Sequence, residues 1–260
     1  MAATGWKLAT DTFSWAIAKG LAHYELVYGS LGAVVALLLW IYLSAVILLL
    51  GALVPALHRS FGSMEFAGRA LNTTSEFLAA AYMFATAGLL LGVLPLLVVR
   101  SFFKEPLRSF GLGLGRWREG LVLTGVLFVV IAATLLLPSS QTAEMKAFYP
   151  LDKSAGGSLF AFLRLELLRG VFFYTAWEFF FRGFMLFGLR PYLGDWLAVC
   201  VQTIPSCLWH IGLPTGEIFA SIAAGILFGI LALRTRSIWW VCLLHFLIGF
   251  GTDGLIVLTS

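Results

Sequence analysis

The sequence predicts an all-α membrane protein, a polytopic transmembrane helical bundle of about seven spans. Its composition is the first reason: of 260 residues, 60% are hydrophobic and only 12% are charged, with a mean hydropathy of +0.96. Soluble domains carry about 25% charged residues, so this composition indicates a protein embedded in a lipid bilayer. The other reasons are a series of long apolar runs and a small set of charged and histidine residues inside the later runs.

The apolar runs predict the individual spans, since a helix that crosses the membrane needs about 20 predominantly apolar residues. Seven stretches are predicted to cross: 31–54, 77–99, 121–137, 171–189, 196–212, 218–233 and 238–258. A further helix at 159–170 has charged residues between its apolar positions, and we expect it to lie at the membrane interface.

The chain divides into two predicted regions. Residues 1–105 form an N-terminal membrane region with two spans, and residues 106–260 carry the remaining spans and the candidate active-site residues. The glycine-rich turn at 111–115 lies close to this boundary, but no Gly-Lys-Ser/Thr follows it, so it is not predicted to bind phosphate.

Charge and cysteine content exclude other classes of protein. The net charge is +4, but the basic residues flank apolar spans and form no solvated patch, so nucleic-acid binding is not expected. More of them fall in the loops on the side of the 100–118 link, which predicts a cytoplasmic N-terminus. The three cysteines lie in apolar runs without paired spacing, so no disulfide framework or zinc cluster is expected from them.

Four residues inside the late spans are candidates for chemistry, because ionisable side chains at membrane depth are costly. They lie on three different predicted spans: Glu178, Arg182, His210 and His245. The first two are four residues apart and share one face of a helix. Asp253, two turns beyond His245, is a further candidate.

A carboxylate and two imidazoles can activate water for attack on a carbonyl carbon, directly or through a metal. We therefore predict Glu178, Arg182, His210 and His245 as catalytic residues, with Glu178 as the base and Arg182 stabilising negative charge. Zn²⁺ or another divalent metal is a possible cofactor, with His210, His245 and Glu178 as its ligands. Two histidines and one carboxylate suit metal-bound and metal-free water equally.

Structural interpretations of the same residues stay open. Glu178 and Arg182 can form a plain ion pair within one helix, and His210 can cap a carbonyl at a helix end. A proton or ion relay uses the same residue types and is a competing function. No inverted repeat is visible in the sequence, which counts against a transporter.

Three short motifs, in order and on separate predicted spans, carry a resemblance to a known family. The stretch at about 110–258, with its core at 171–250, resembles the CPBP family of CAAX-type prenyl endopeptidases and Abi-like bacteriocin-processing proteases. That family has Glu-Glu-x-x-x-Arg, Phe-x-x-x-His and His-x-x-x-Asn or Asp. The matching stretches here are Trp177-Glu178-Phe-Phe-Phe-Arg182, Ser206-Cys-Leu-Trp-His210 and His245-Phe-Leu-Ile-Gly249.

The resemblance implies an intramembrane metallo- or glutamate-type endopeptidase of a bacterial inner membrane. Its implied partners are membrane lipid and a peptide or lipidated-protein substrate. The motifs do not define its oligomeric state.

Three positions depart from the family pattern. Trp177 stands where the first glutamate is usual, Ser206 replaces the phenylalanine and Gly249 replaces the asparagine. The family's first glutamate is the one credited with activating water, so Glu178 must do so alone or the protein is a non-catalytic pseudoprotease, a peptide-binding scaffold or immunity factor. Glu217 and Asp253 are possible substitutes for the missing asparagine.

The N-terminal third has a separate resemblance. Residues 23–52 are similar to the last membrane segments of YihY/BrkB-type membrane proteins. No catalytic residue accompanies the resemblance, and an ordinary Leu/Ala/Val-rich span explains the same pattern equally well.

Overall fold

The structure is a computed structural model that describes residues 2–16, 18, 19, 32, 34, 35, 37, 38, 41, 42 and 52–260. Every regular element among these residues is a helix, and they contain no strand. The prediction of an all-α helical membrane protein is therefore confirmed. Most of the predicted first span at 31–54, and most of the stretch at 23–52, lies outside the described residues.

The helices of the described chain follow one another in a single series. In order the longer ones are α1 (Ala2–Ala16), α2 (52–61), α3 (Met64–Ala70), α4 (Glu76–Phe103), α5 (Trp117–Ser139), α6 (Ala143–Phe148), α7 (159–187), α8 (Gly188–Leu208), α9 (Thr215–Thr235) and α10 (Trp239–Thr259). Helix α8 is kinked at Gly194, and two short 3-10 helices lie at Leu107–Phe110 and Lys153–Gly157.

Local sequence explains where the long helices begin and end. The Ser75 side chain accepts a hydrogen bond from the Leu78 backbone N–H and caps the start of α4. That helix ends at Lys104, which takes a left-handed conformation with φ of 55°. The end of α9 has the same form, with Arg236 at φ of 55°. A residue in this conformation cannot continue a helix, so each long helix stops at the following loop.

Four helices of the described chain are long and apolar enough to cross a membrane: α4, α5, α9 and α10. They cover the spans predicted at 77–99, 121–137, 218–233 and 238–258. The predicted span at 171–189 is helical, and the one at 196–212 is helical as far as Leu208 and continues as a turn. Neither is among these four, since charged and polar residues interrupt their apolar character. The total of seven spans stays a prediction.

Helix α7 lies at the centre of the structure and contains two π segments, whose turns are wider than those of an α-helix. It runs through Leu159–Leu168, a π segment at Arg169–Tyr174, an α turn at Thr175–Glu178 and a second π segment at Phe179–Phe187. Its second half packs against α4, α8 and α10. π segments also occur in α4, at Gly88–Val93 and Val99–Phe103, and in α5, at Ala132–Leu136. They are frequent at functional sites, but here they do not by themselves distinguish α7 from the other long helices.

The first part of α7 differs from the interfacial helix predicted at 159–170. Glu166 and Arg169 are both buried, whereas Arg164 stays partly exposed. The reason is a partner on another helix, because Asp253 of α10 pairs with Arg169 across the interior. The sequence alone does not show that Arg169 pairs with a residue on another helix. The charged residues at 159–170 are therefore predicted to face the membrane interface, and for Glu166 and Arg169 this prediction differs from the structure.

Candidate active site

Glu178 lies at the centre of a buried polar site, between a histidine and an arginine. Its Oε1 lies 2.6 Å from Nδ1 of His245 on α10, and its Oε2 lies 3.2 Å from a terminal guanidinium nitrogen of Arg182. Both Glu178 and Arg182 are almost completely buried, with side chains 0% and 2% exposed. The structure thus brings three of the four predicted residues into direct contact, on α7 and α10.

The contact with Glu178 determines how the His245 ring is oriented. A carboxylate only accepts hydrogen bonds when ionised, so Nδ1 of His245 is the donor. In a neutral ring the other nitrogen, Nε2, is then an acceptor with a free lone pair. The side chain of His245 is 21% exposed, so this nitrogen sits on an imidazole that a small molecule can reach.

Two aromatic rings hold the His245 imidazole in place. The Tyr174 ring, one turn before Glu178 on α7, lies against it with centroids 4.3 Å apart. Phe228 of α9 lies 5.6 Å away at a steeper angle. Three helices therefore converge on this histidine, which leaves it little freedom to rotate.

His210 lies beside this site but does not join the ion pairs. It follows the end of α8, in a turn, and its Nδ1 donates to the carbonyl oxygen of Ser206 at 2.8 Å. That is the contact that the helix-capping interpretation predicts. Within the described residues, no carboxylate oxygen lies within 4.0 Å of a His210 nitrogen. Instead the Trp177 indole stands edge-on to the imidazole, with ring centroids 5.7 Å apart.

The residues proposed as metal ligands do not form a cluster in this arrangement. Across the part of the chain that the structure describes, no group of three or more His, Cys, Asp or Glu side chains is placed to hold a metal ion. The 2.6 Å contact between Glu178 and His245 leaves no room for an ion between those two atoms. Zn²⁺ bound by Glu178, His210 and His245 stays a prediction from the sequence.

A second buried polar cluster lies next to Tyr174, and the sequence analysis does not predict it. Arg169 donates to both oxygens of Glu166, at 2.8 and 2.7 Å, and pairs with Asp253 at 3.2 Å. Its guanidinium carbon lies 5.4 Å from the centroid of the Tyr174 ring. The spacing of Glu166 and Arg169, three residues apart in an apolar stretch, is the signal that could have indicated a second pair of this kind.

Glu217 and Asp253 both have partners away from the catalytic candidates. Asp253 pairs with Arg169 as described, and Glu217 accepts a hydrogen bond from the Tyr149 hydroxyl at 3.0 Å. Burial, together with the negative charge of Glu217, raises the pKa of Tyr149 well above its usual value, so this hydroxyl remains a donor. Neither acid is therefore placed at Glu178 as a substitute for the missing asparagine.

Residues of the N-terminal region support the His210 turn. The His58 ring on α2 stacks on Trp209, with centroids 4.8 Å apart. Its neighbour Arg59 donates a hydrogen bond to the Trp209 carbonyl oxygen at 3.1 Å. Nothing in the sequence distinguishes these two residues, because they simply follow an apolar run.

Gly249 has a clear structural reason to lack a side chain. A Cβ atom at this position would overlap the Tyr174 hydroxyl and would lie only 2.8 Å from the carbon that carries it. Any larger residue would displace the tyrosine from its place against His245. The departure at 249 is thus linked to the tyrosine one turn before Glu178.

Comparison with known families found two matches, at opposite ends of the chain. The family described as type II CAAX prenyl endopeptidase Rce1-like matches residues 158–251, and the family described as virulence factor BrkB matches residues 1–69. Both resemblances noted from the sequence are thereby confirmed. No curated protein and no solved structure showed significant similarity to the chain. The chain is an integral membrane protein that carries, at residues 158–251, a match to the Rce1-like type II CAAX prenyl endopeptidases, a family of membrane proteases.

Proposed function

We propose that the protein is an intramembrane endopeptidase that hydrolyses a peptide bond in a membrane-associated, prenylated or otherwise lipidated substrate. The observation that carries the proposal is the contact between the buried Glu178 carboxylate and His245 Nδ1 at 2.6 Å. A carboxylate that orients an imidazole, whose other nitrogen is free, is a general arrangement for activating water or a nucleophile. The match of residues 158–251 to a protease family supports the same conclusion.

His245, rather than Glu178, is the proposed base. Oε1 of Glu178 is engaged by His245, and Oε2 faces Arg182 at 3.2 Å as an ion pair without a hydrogen bond. Oε2 is also fully buried, so a water molecule from outside does not reach it. Glu178 therefore orients the imidazole, holds the proton on Nδ1 and stabilises the imidazolium that forms when Nε2 takes up a proton. This differs from the assignment made from the sequence, in which Glu178 itself is the base.

The proposed reaction is a hydrolysis in two proton transfers. His245 Nε2 takes a proton from a water molecule as the water oxygen bonds to the peptide carbonyl carbon. The C–N bond then breaks, and His245 gives the proton to the leaving amine nitrogen. Arg182 balances the charge of Glu178, and His210, whose Nδ1 donates to Ser206, keeps its Nε2 as a second acceptor for the attacking water.

The location of the site supports a substrate that is already in the membrane. Glu178 and Arg182 lie on a helix that packs among α4, α8 and α10, two of which are candidate membrane spans. A peptide can reach such a site if an attached lipid or its own apolar residues hold it in the bilayer. A prenylated peptide is the substrate class that the family match favours.

The test is cleavage by purified protein in liposomes that contain a prenylated peptide, compared with the same peptide without the lipid. We expect the lipidated peptide to be cleaved, and Glu178→Gln or His245→Ala to reduce the rate by about 10²–10⁴-fold. Glu65→Gln is the matched control, because Glu65 is a highly exposed glutamate in an ion pair of the same i,i+4 spacing. Equal cleavage by Glu178→Gln would contradict the proposed mechanism.

A second candidate function is peptide binding without cleavage, as in a pseudoprotease. The observation that favours it is the Trp177 indole against His210, where the family pattern has a glutamate. Under this alternative the lipidated peptide binds but is not cleaved, and binding survives replacement of both histidines by alanine. Cleavage that depends on His245 would exclude it.

A further inference from the structure

Tyr174 occupies the space that a side chain at position 249 would fill. Its hydroxyl lies where the Cβ of any residue larger than glycine would be, beside α10 and one turn beyond His245. Its ring covers the His245 imidazole at a centroid distance of 4.3 Å. Tyr174 and Gly249 are therefore complementary: Tyr174 provides the hydroxyl, and the absence of a side chain at Gly249 leaves space for it.

The Tyr174 hydroxyl has no hydrogen-bond partner among the described residues, although the side chain is only 7% exposed. Its phenol ring lies against the His245 imidazole and 5.4 Å from the Arg169 guanidinium carbon. The hydroxyl oxygen itself is not fully enclosed by the protein, so a group that binds from outside can reach it. A rigidly held and unpaired donor next to His245 is therefore suited to a group that is bound from outside.

We propose that the Tyr174 hydroxyl donates a hydrogen bond to the carbonyl oxygen of the bound peptide as that oxygen becomes negative. This inference rests on the proposed peptidase function and adds a catalytic residue to it. Phenol hydroxyls are one of the side-chain groups that stabilise such an oxyanion, and they act without loss of a proton. The Tyr174 donor then lies on the same face of α7 as Glu178, since the two are four residues apart.

The other candidates for this role have different partners. Arg182, which the sequence predicts to stabilise negative charge, pairs with Glu178. Glu217 accepts from Tyr149, and Asp253 pairs with Arg169. As carboxylates they would in any case repel an oxyanion rather than stabilise it. A neutral donor avoids this repulsion.

The first experiment compares Tyr174→Phe with the wild-type protein in the liposome cleavage assay. The phenylalanine keeps the ring against His245 and removes only the hydroxyl. We expect kcat to fall about 100-fold, in the range found when one oxyanion donor is removed, while KM stays unchanged. A tyrosine with a purely structural role would lower thermal stability and leave kcat of the folded fraction unchanged. Tyr192→Phe, at a partly exposed tyrosine of α8, is the matched control.

A second variant tests the link between the two positions. Gly249→Ala crowds both the hydroxyl and the ring of Tyr174, so we expect it to lower kcat at least as much as Tyr174→Phe. The double variant should then be no slower than Gly249→Ala alone, because the alanine already displaces the hydroxyl that the phenylalanine removes. Additive losses would overturn the proposal.

Binding of a transition-state mimic separates this inference from the proposed function. The probe is the same lipidated peptide with a phosphinate group in place of the scissile amide, since its P–O⁻ has the charge and tetrahedral shape of the oxyanion intermediate. We expect Tyr174→Phe to bind this probe about 100-fold more weakly, with no change in KM for the same peptide with its ordinary amide bond. Tight, hydroxyl-dependent binding without any cleavage by the wild type would refute the peptidase function and support the donor role. Cleavage and phosphinate binding that are both unchanged in Tyr174→Phe would refute the donor role alone, and a wild-type protein that neither cleaves nor binds would refute both.

Discussion

Trp177 stands perpendicular to His210, with ring centroids 5.7 Å apart and an interplanar angle of 90°. The indole therefore occupies the flank of the imidazole from which a carboxylate could act. Its neighbour Glu178 faces a different histidine, His245. The Glu178 carboxylate thus pairs with His245 only, and His210 has the Ser206 carbonyl oxygen and the Trp177 indole as its neighbours.

The first prediction concerns Trp177→Glu. A glutamate here would lie beside His210 and could share a water with it, so we expect peptidase activity in the liposome assay to rise, by about 10-fold or more. Trp177→Gln is the control, since it removes the indole to the same extent without adding a charge. An increase in both variants would show that the bulk of the indole, and not the missing charge, limits the rate.

The second prediction compares two ion pairs of the same i,i+4 spacing. Arg182 and Glu178 are buried, whereas Arg69 and Glu65 have side chains 71% and 81% exposed. Arg182→Met leaves a buried carboxylate without its partner and should destabilise the protein by about 3–5 kcal/mol. Arg69→Met should change stability by about 0–1 kcal/mol. Thermal unfolding in detergent measures both, and equal shifts in the midpoint would contradict the buried ion pair.

The third prediction concerns the support that the N-terminal region gives to the His210 turn. Arg59 donates a hydrogen bond to the Trp209 carbonyl oxygen, so Arg59→Ala should loosen the turn and lower the cleavage rate about 10-fold, with little loss of stability. Arg69→Ala, an exposed arginine nearby in the chain, is the control. If the rate is the same in both variants, the N-terminal region does not contribute to the site through this contact.

The fourth prediction concerns alkaline pH and Tyr149. Burial and Glu217 raise the pKa of this tyrosine above its unfolded value, so its contribution to stability is complete below about pH 10 and is lost as the pH rises further. Tyr149→Phe should therefore be less stable at neutral pH, by roughly the value of one hydrogen bond, about 1 kcal/mol. It should also lose less stability than the wild type above pH 10. Parallel pH profiles for the two proteins would contradict this account.

The helical class and four of the predicted spans followed directly from the apolar pattern. Glu178 and Arg182 were predictable because their spacing places them on one helix face, and His245 was predictable because a histidine within an apolar span needs a polar partner. The assignment of His245 to Glu178 was not predictable, since it depends on how α7 and α10 pack. The same holds for Arg169, which is predicted from the sequence to lie at the membrane interface. In the structure it lies in the interior, where it pairs with Asp253, 84 residues later in the chain.

The remaining differences come from residues that have no charge pattern of their own. Trp177 and Gly249 were visible as departures from the family motifs, but only the structure places the indole against His210 and the Tyr174 hydroxyl over the glycine. Tyr174 itself lies in a stretch of aromatic residues and carries no signal that distinguishes it from Phe172 or Phe173.

The two wide turns of α7 make the length of this helix as important as its residue types. Adding or removing a single residue rotates everything beyond it by about 100° in an α-helix, and by somewhat less in a π segment such as Phe179–Phe187, whose turns are wider. Deleting one residue between Glu178 and Arg182 would therefore turn the guanidinium away from the carboxylate, even if every remaining side chain were kept. The phenylalanines at 179–181 also act as spacers that keep the two charges in register, a role that tolerates changes of side chain better than a change in number.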